Sequence, residues 1–359
     1  MNDVAKIHFP PMPSNQNDPS PLRIGPVRAS ELDHLVEACV VRSGTSRIIV
    51  VDGRTLPPHM DPSEIADHLL GRGDLADGLG GEHYQLNKVA IWSSSAEDVA
   101  EFRFFNLDPT LKTITVGSEC GHAAAAVGMV AAVSEPRRFN SISVPVHSLD
   151  TGQRFEYRSH DAGRCWNAPC TLRLFPEASP PAIHSKVAAQ DHREDIPFDV
   201  VHHGNSFALV PGISGLESAK IRRQIALSTV EMARRDRRTN DRPEYVRVLP
   251  YEIEWLSDTT ATVTATCFNG EVRHKSLPIS GAIALCDLLA LKRVDEFPPP
   301  GDPQRMRFEF ELQSPHGTKP GNVELVRRDD SWMVDWTGYD ADVRLLFACN
   351  AVIPLPKGR

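Results

Sequence analysis

No apolar run in this chain of 359 residues approaches the roughly 20 residues that a membrane-spanning helix needs. The N-terminus has neither an apolar signal core nor an Arg-rich amphipathic pattern, so a soluble, cytoplasmic protein is expected. Basic residues are outnumbered, 39 Lys and Arg against 47 Asp and Glu, for a formal net charge of −8. No basic stripe offsets that balance, which argues against nucleic acid as the main partner. It does not exclude a small anionic substrate, because a local site can outweigh a diffuse negative surface. The seven cysteines, Cys39, Cys120, Cys165, Cys170, Cys267, Cys286 and Cys349, lack the even count and regular spacing of a disulfide framework. Cys165 and Cys170 have neither a CxxC partner nor an HxxxH pair, so no metal site is expected. Asp74 to Gly81 is rich in glycine but lacks GxGxxG spacing and a following helix, so it is not read as nucleotide-binding.

What the chain does have is a run of small residues. Val116-Gly117-Ser118-Glu119-Cys120-Gly121-His122 leads into Ala123 to Val133, which is mostly alanine. Alanine is the strongest helix former, and a helix with no polar face cannot lie on a surface. The reading is a strand, a tight turn and a buried central helix. The first turn of such a helix leaves N–H groups unpaired at the positive end of the dipole, which suits a carboxylate or phosphate. Cys120 stands at that end, where thiols are commonly activated. A core helix that begins with a small buried cysteine has the same signature, and both readings stand.

Along the chain, residues 1–28 carry six prolines among polar residues and read as a flexible tail outside the fold. Glu37 to Val51 reads as strand, Arg-Ser-Gly-Thr-Ser turn, strand. The hydroxyls, Arg42 and Gly44 of that turn suit a carboxylate, although an ordinary hairpin reads the same way. Asp61 to Leu70 reads as a helix with Asp61 as N-cap, Pro62 in the first position and Gly71 at the end. Asn87 to Trp92 is a strand opening with Lys88, a surface residue unless burial makes it a base. Strands follow at Glu101–Leu107, Ile114–Val116, Ser141–Val146, Arg154–Arg158 and Thr171–Phe175, and Pro176 to Pro197 reads as a linker. The second half repeats the order. Asp199 to Val210 is strand, polar loop, strand; Leu216 to Arg235 is an amphipathic helix; Tyr245–Leu249 and Thr260–Phe268 are strands. A polar loop, Asn269 to Lys275, precedes a second small-residue turn and apolar helix, Leu277 to Leu291. Closing strands are expected at Met306–Leu312, Asn322–Arg327, Ser331–Trp336 and Asp342–Pro354. Two halves with one pattern point to an internal duplication.

This order of motifs resembles the methylaconitate isomerase (PrpF-type) family. Its Arg-Gly-Gly-Thr-Ser-Lys loop is similar to Arg42-Ser43-Gly44-Thr45-Ser46-Arg47. Its Asp-Gly-x-Gly-Gly segment and Ser-Lys-Val-Ala strand resemble Asp77-Gly78-Leu79-Gly80-Gly81 and Asn87-Lys88-Val89-Ala90. Its Gly-Asn-Cys-Gly-Asn turn corresponds to Ser118-Glu119-Cys120-Gly121-His122. A Gly-Asn-Pro loop matches Gly204-Asn205-Ser206, and a Thr-Gly-Ala helix start matches Ser280-Gly281-Ala282 after His274-Lys275. The similarity spans roughly residues 36–354.

The resemblance implies an α+β, diaminopimelate epimerase-like fold of two similar domains, each a mixed β-sheet curled around a central α-helix. The divisions expected are 29–193 and 194–344, with 345–359 able to return to the first domain. The active site would lie between the domains, with both helix N-termini aimed at substrate carboxylates. No cofactor is expected, and a homodimer is an open option. The implied activity is an isomerase that shifts a C=C bond by 1,3-allylic proton transfer in an unsaturated di- or tricarboxylate such as aconitate or 2-methylaconitate. Lys88 would be the base, and Cys120 a second acid/base or a positioning group. Arg42, Ser43, Gly44, Thr45, Ser46, Gly121, His122, Asn205, Ser280, Gly281 and Ala282 would bind substrate. Ser43, Arg47, Glu119 and His122 depart from the family pattern, and an inward Glu119 carboxylate would repel a substrate carboxylate. Alternatives are a natural-product pathway isomerase of another unsaturated acid and an inactive carboxylate-binding homologue. A two-cysteine epimerase fits less well, because the second helix start carries Ser280 rather than a thiol.

Overall fold

Runs of β-branched residues, Val40-Val41 and Ile48 to Val51, set up the first hairpin, β1 (Asp33–Ser43) and β2 (Ser46–Asp52), which pair antiparallel across Gly44 at φ +53°. The computed structural model describes residues 33–354, apart from 58–59, 72–77, 82, 109–112, 140–141, 162, 164–165, 177–182, 188–194, 213–217, 236–245, 300 and 302. The tail expected over 1–28, the Asp74–Asp77 part of the glycine-rich loop, and Cys165 lie outside the described residues.

After the hairpin come α1 (Pro62–Leu70), β3 (Lys88–Ser94), β4 (Ala100–Asp108), β5 (Thr113–Val116) and α2 (Gly121–Ser134). The α1 ends are those expected: the Asp61 side chain accepts from Ser63 N–H, and Gly71 closes the helix in the left-handed region at φ +97°. Next are β6 (Ser143–Ser148), β7 (Arg154–Ser159) and β8 (Asn167–Phe175), the last longer than the Thr171–Phe175 expected.

The second set opens with β9 (Ile183–Val187), β10 (Ile196–His202), β11 (Ser206–Pro211), α3 (Ala219–Arg235), β12 (Arg247–Trp255) and β13 (Thr260–Ala265). It closes with β14 (Phe268–Asn269), β15 (Val272–Arg273), α4 (Ile279–Glu296), β16 (Arg305–Ser314), β17 (Gly317–Arg328) and β18 (Ser331–Pro354).

Three expectations change. The linker read over Pro176–Pro197 contains β9, which pairs antiparallel with β10 because Ile183 to Val187 can satisfy its backbone only on a neighbouring strand. The loop read over Asn269–Lys275 contains the two-residue strands β14 and β15, joined by a turn with Gly270 at φ +58°. The two closing strands are one, because Gly338 and Tyr339 stay extended opposite Asn322 and Gly321.

By compactness the chain divides into 1–172 with 341–359, and 173–340. The division expected at 193/194 falls within 188–194, outside the described residues. In the first unit β1–β2 is antiparallel, β2–β3 parallel, β3–β4 antiparallel, β4–β6 parallel and β6–β7 antiparallel. The second unit repeats this sequence of pairings in β10–β11, β11–β12, β12–β13, β13–β16 and β16–β17. Within the first unit, the Val343–Pro354 part of β18 pairs antiparallel with β1.

Each sheet has two buried faces. In the first unit Val36, Ala38, Val40, Ile49, Val51, Val89 and Ile91 form one cluster with Ile65, Ala66, Leu69 and Leu70 of α1. Side chains alternate along a strand, so the intervening residues face the other way, onto α2, which touches β1, β2, β3, β4, β6 and β7. All of Gly121 to Ala132 is buried, as a helix without a polar face requires. In the second unit α3 covers one face through Ile221, Ile225, Ala226 and Val230. The other face takes α4, which contacts β10, β11, β16 and β17.

Candidate active site

Period-two alternation decides which first-unit side chains reach α2. On β1 these are Cys39, Val41 and Ser43; on β2, Ser46, Ile48 and Val50; on β3, Lys88, Ala90 and Trp92. Lys88 is therefore turned toward the helix by the same register that puts Val89 in the α1 cluster. Only 9% of Lys88 is exposed, its Nζ lies 3.5 Å from Cys120 Sγ, and it stands over the Phe104 ring at 5.8 Å.

Cys120 is the N-cap of α2, 4% exposed, and its carbonyl accepts from Ala123 and Ala124 N–H. The N–H groups of Gly121 and His122 precede the first intrahelical donor and have no backbone acceptor among the described residues. His122 Nδ1 lies 3.3 Å from Ser43 Oγ. Its ring covers Gly44 so closely that a Cβ there would stand 2.6 Å from Cε1. Gly44 is thus required twice, for its positive φ and for the imidazole above it. Burial first, and the Lys88 charge second, hold the His122 imidazole down to about 3, so the ring is neutral near pH 7. Ser43 and Ser46 are buried and directly opposed across the hairpin. This gathers Lys88, Cys120, Gly121, His122, Ser43, Gly44 and Ser46 at one end of α2.

Arg42 is not part of that gathering. It is exposed, on the alternate face, and its Nε donates to Gly44 O at 2.7 Å, bracing the turn. Thr45 lies in the same turn. Asn205, Ser280, Gly281 and Ala282 belong to the second unit. Asn205 is buried and its carbonyl accepts from His203 N–H. Helix α4 starts at Ile279 with Pro278 as N-cap, so Ser280 and Gly281 occupy its first turn, and Ala282 donates to Pro278 O. Gly281 packs on Phe207: a Cβ there would meet the ring at 3.1 Å.

Arg47 and Glu119, two of the residues that depart from the resembled pattern, and Asn87 beside Lys88 have structural roles. Arg47 reaches the carbonyls of Leu79, Gly80 and Leu86, fastening the glycine-rich loop. Asn87, fully buried, grips the same loop by accepting from Gly81 N–H and donating to Gly81 O. Glu119 is buried and hydrogen-bonded within the fold. Its carboxyl accepts from Cys120 N–H at 2.8 Å and from the Thr151 hydroxyl, in the β6–β7 turn. Burial pushes it up to about 7, against hydrogen bonds from Thr151, Cys120 N–H and Ser148 that favour the ionised form.

These two groups give opposite pH limbs to stability. His122 is depressed from 6.5 to about 3. Its contribution is complete above pH 6.5 and is lost on acidification, because the unfolded chain takes the proton first. Glu119 is raised from 4.5 to about 7. Its contribution is complete below pH 4.5 and is lost as pH rises through 7, on the order of 3 kcal/mol. Urea unfolding at pH 4.5 to 8.5 should show Glu119→Gln gaining on the wild type across that range. A constant difference between the two would contradict the environment described for Glu119.

Among the described residues no His, Cys, Asp and Glu group could hold a metal ion, and no helix is long and apolar enough to cross a membrane. No protein-family model matches the chain, and no curated protein matches it by sequence. Solved structures do match. A methylitaconate-delta-isomerase superposes at a TM-score of 0.61 and 15% identity, over 90% of this chain and 97% of that one. A hydroxyproline epimerase from Agrobacterium vitis, with trans-4-hydroxy-L-proline bound, gives 0.55 and 15%, over 90% and 94%. A probable proline racemase from Agrobacterium radiobacter K84, with bound carbonate, gives 0.53 and 16%, over 88% and 92%. At these identities the likeness establishes the fold.

Proposed function

We propose that this chain is an isomerase that moves a C=C bond by 1,3-allylic proton transfer in an unsaturated di- or tricarboxylate. The observation that carries this reading is the buried contact of Lys88 Nζ with Cys120 Sγ at the N-terminus of α2. A proton on a carbon next to one carboxylate, and conjugated through a double bond to another, is acidic enough for an amine to remove. The C–H electron pair then spreads over a dienolate, and the proton returns at the far allylic carbon. Oriented donors that meet this charge are worth several kcal/mol each (about 3). Gly121 N–H, His122 N–H and the Ser43 and Ser46 hydroxyls are the local donors.

Lys88 takes the proton and returns it, and Cys120 holds the amine in place or serves as second acid. The Glu119 carboxyl is engaged by Cys120 N–H and the Thr151 hydroxyl. The structural matches include a C=C isomerase and two stereoinverting enzymes, so the preference over stereoinversion rests on the residues. Inversion by two thiols asks for a second cysteine at the start of α4, where Pro278 is the N-cap. Cys286 lies further along α4 and is turned onto Gly321, whose Cβ position is 2.8 Å from its sulfur.

Proton NMR in deuterated water tests the reading, with cis-aconitate, trans-aconitate and 2-methylaconitate as substrates. Isomerisation or deuterium uptake at the allylic carbon, absent in Lys88→Ala, is expected. No exchange with any of the three acids would remove the aconitate-type assignment, and other unsaturated acids would follow.

A further inference from the structure

The repeated strand pairing assigns a counterpart to Lys88 in the second unit. In the first unit Lys88, the first residue of β3, is paired with Ile48 on β2 and Asn106 on β4. In the second unit Arg247, the first residue of β12, is paired with Phe207 on β11 and Asn269 on β14. Residues opposed across a ladder share a face, and Phe207 lies against Gly281 in the first turn of α4. Arg247 and Asn269 therefore sit on the α4 face near the start of that helix, as Lys88 does for α2. The neighbours Val246 and Val248 confirm the phase, since they belong to the α3 cluster on the opposite face.

The polar atoms here are not consumed by the fold. Arg247 Nη1 and Asn269 Oδ1 are both buried, and neither has a hydrogen-bond partner among the described residues. No carboxylate among the described residues pairs with Arg247, which lies 5.7 Å from the Phe207 ring. Stranded polar groups of this kind are costly, and a site that retains them generally has a use for them. Asn106 Oδ1, beside Lys88, is orphaned in the same way, so the repeat preserves the asparagine as well as the cation.

We propose that Arg247, with Asn269 at its side, is a carboxylate-binding subsite on the α4 face of the second unit. The planar guanidinium fork matches a carboxylate better than an ammonium does. The Asn269 amide, whose oxygen and nitrogen interchange by a half-turn, donates to the same anion or accepts from a neighbouring hydroxyl. The inference rests on the reading that the chain acts on carboxylic acids, and it assigns recognition, not proton transfer, to Arg247.

Calorimetric titration with tricarballylate, a saturated tricarboxylate with no double bond to shift, tests the subsite separately from catalysis. Wild type should bind it, and Arg247→Met should bind about 10- to 100-fold more weakly, the range for one charged hydrogen bond. Asn269→Asp, almost unchanged in shape, should show a similar loss by setting a carboxylate against the guanidinium. Arg247→Lys should lie between. Circular dichroism melts identify any variant that fails to fold, and Asn269→Asp serves if Arg247→Met does. Binding that is absent in wild type, or unchanged in the folded variants, overturns the subsite. Arg247-dependent binding without allylic exchange in the three acids would keep the subsite and remove the aconitate-type assignment.

Discussion

Lys88→Met is expected to lower turnover about 1,000-fold, within the range typical of a single general base, with little change in the binding of a saturated analogue. Methionine keeps the aliphatic stem while removing the amine that accepts the proton in the proposed chemistry. Lys88→Arg should be nearly as inactive, because a guanidinium stays protonated at any working pH. The loss should not come from misfolding. Lys88 is only 9% exposed, and exchanging a buried amine for a thioether removes a polar group that is costly to desolvate, so the melting temperature should hold or rise. Cys120→Ala should cost much less, about 10-fold, if the thiol positions the amine. Steady-state rates for the acid that turns over, paired with melting curves, decide the matter. A folded Lys88→Met variant with near wild-type turnover would mean that another group is the base.

Gly128→Ala should destabilise the protein by about 3 kcal/mol, at the upper end of overpacking costs, although alanine is the better helix former by about 1 kcal/mol. Steric overlap outweighs that gain. A Cβ at Gly128 would stand 2.3 Å from Tyr157 Cβ, 2.7 Å from Tyr157 Cγ and 3.3 Å from Val146 Cγ2. The nearest atom is bonded to the β7 backbone, so no rotation of the tyrosine relieves it. Tyr157 is fully buried, and the strain can be released only by moving α2 away from β7. That movement opens contacts along a helix enclosed by strands. Urea unfolding would measure the loss. Stability equal to wild type would show that α2 and β7 are further apart than described.

Much of this architecture could be read from residue order. The Asp61, Pro62 and Gly71 signals at the ends of α1 act within one or two turns, and they appear in the structure as expected. The alanine run made α2 a helix, and the absence of any polar face made it a buried one. The strand β9 was missed because prolines and alanines surround it, and only pairing with β10 makes Ile183 to Val187 extended. The break expected between Trp336 and Asp342 failed similarly, since the partner strand β17 keeps Gly338 in the ladder.

Within the site, local sequence marked Lys88, Cys120 and the Ser43–Ser46 turn as chemically interesting but left each with an ordinary alternative. The sheet register decided which face the first of these takes. Lys88 shares the α2 face with Ser43 and Ser46, while Arg42 falls on the other side. Nothing local distinguished Arg247 from any other strand arginine; its correspondence to Lys88 exists only in the repeated ladders.

The sequence by itself therefore determined what depends on neighbours a few residues apart: helix caps, the small-residue helix, the hairpin turn and the duplicated order of elements. Tertiary structure alone decided what depends on residues far apart in the chain. It set Lys88 against Cys120, joined Glu119 to Thr151, laid His122 over Gly44 and left Arg247 and Asn269 unspent on the α4 face. The physical reason is that a strand offers two faces of equal standing, and only long-range register against its partners selects the one that meets the helix.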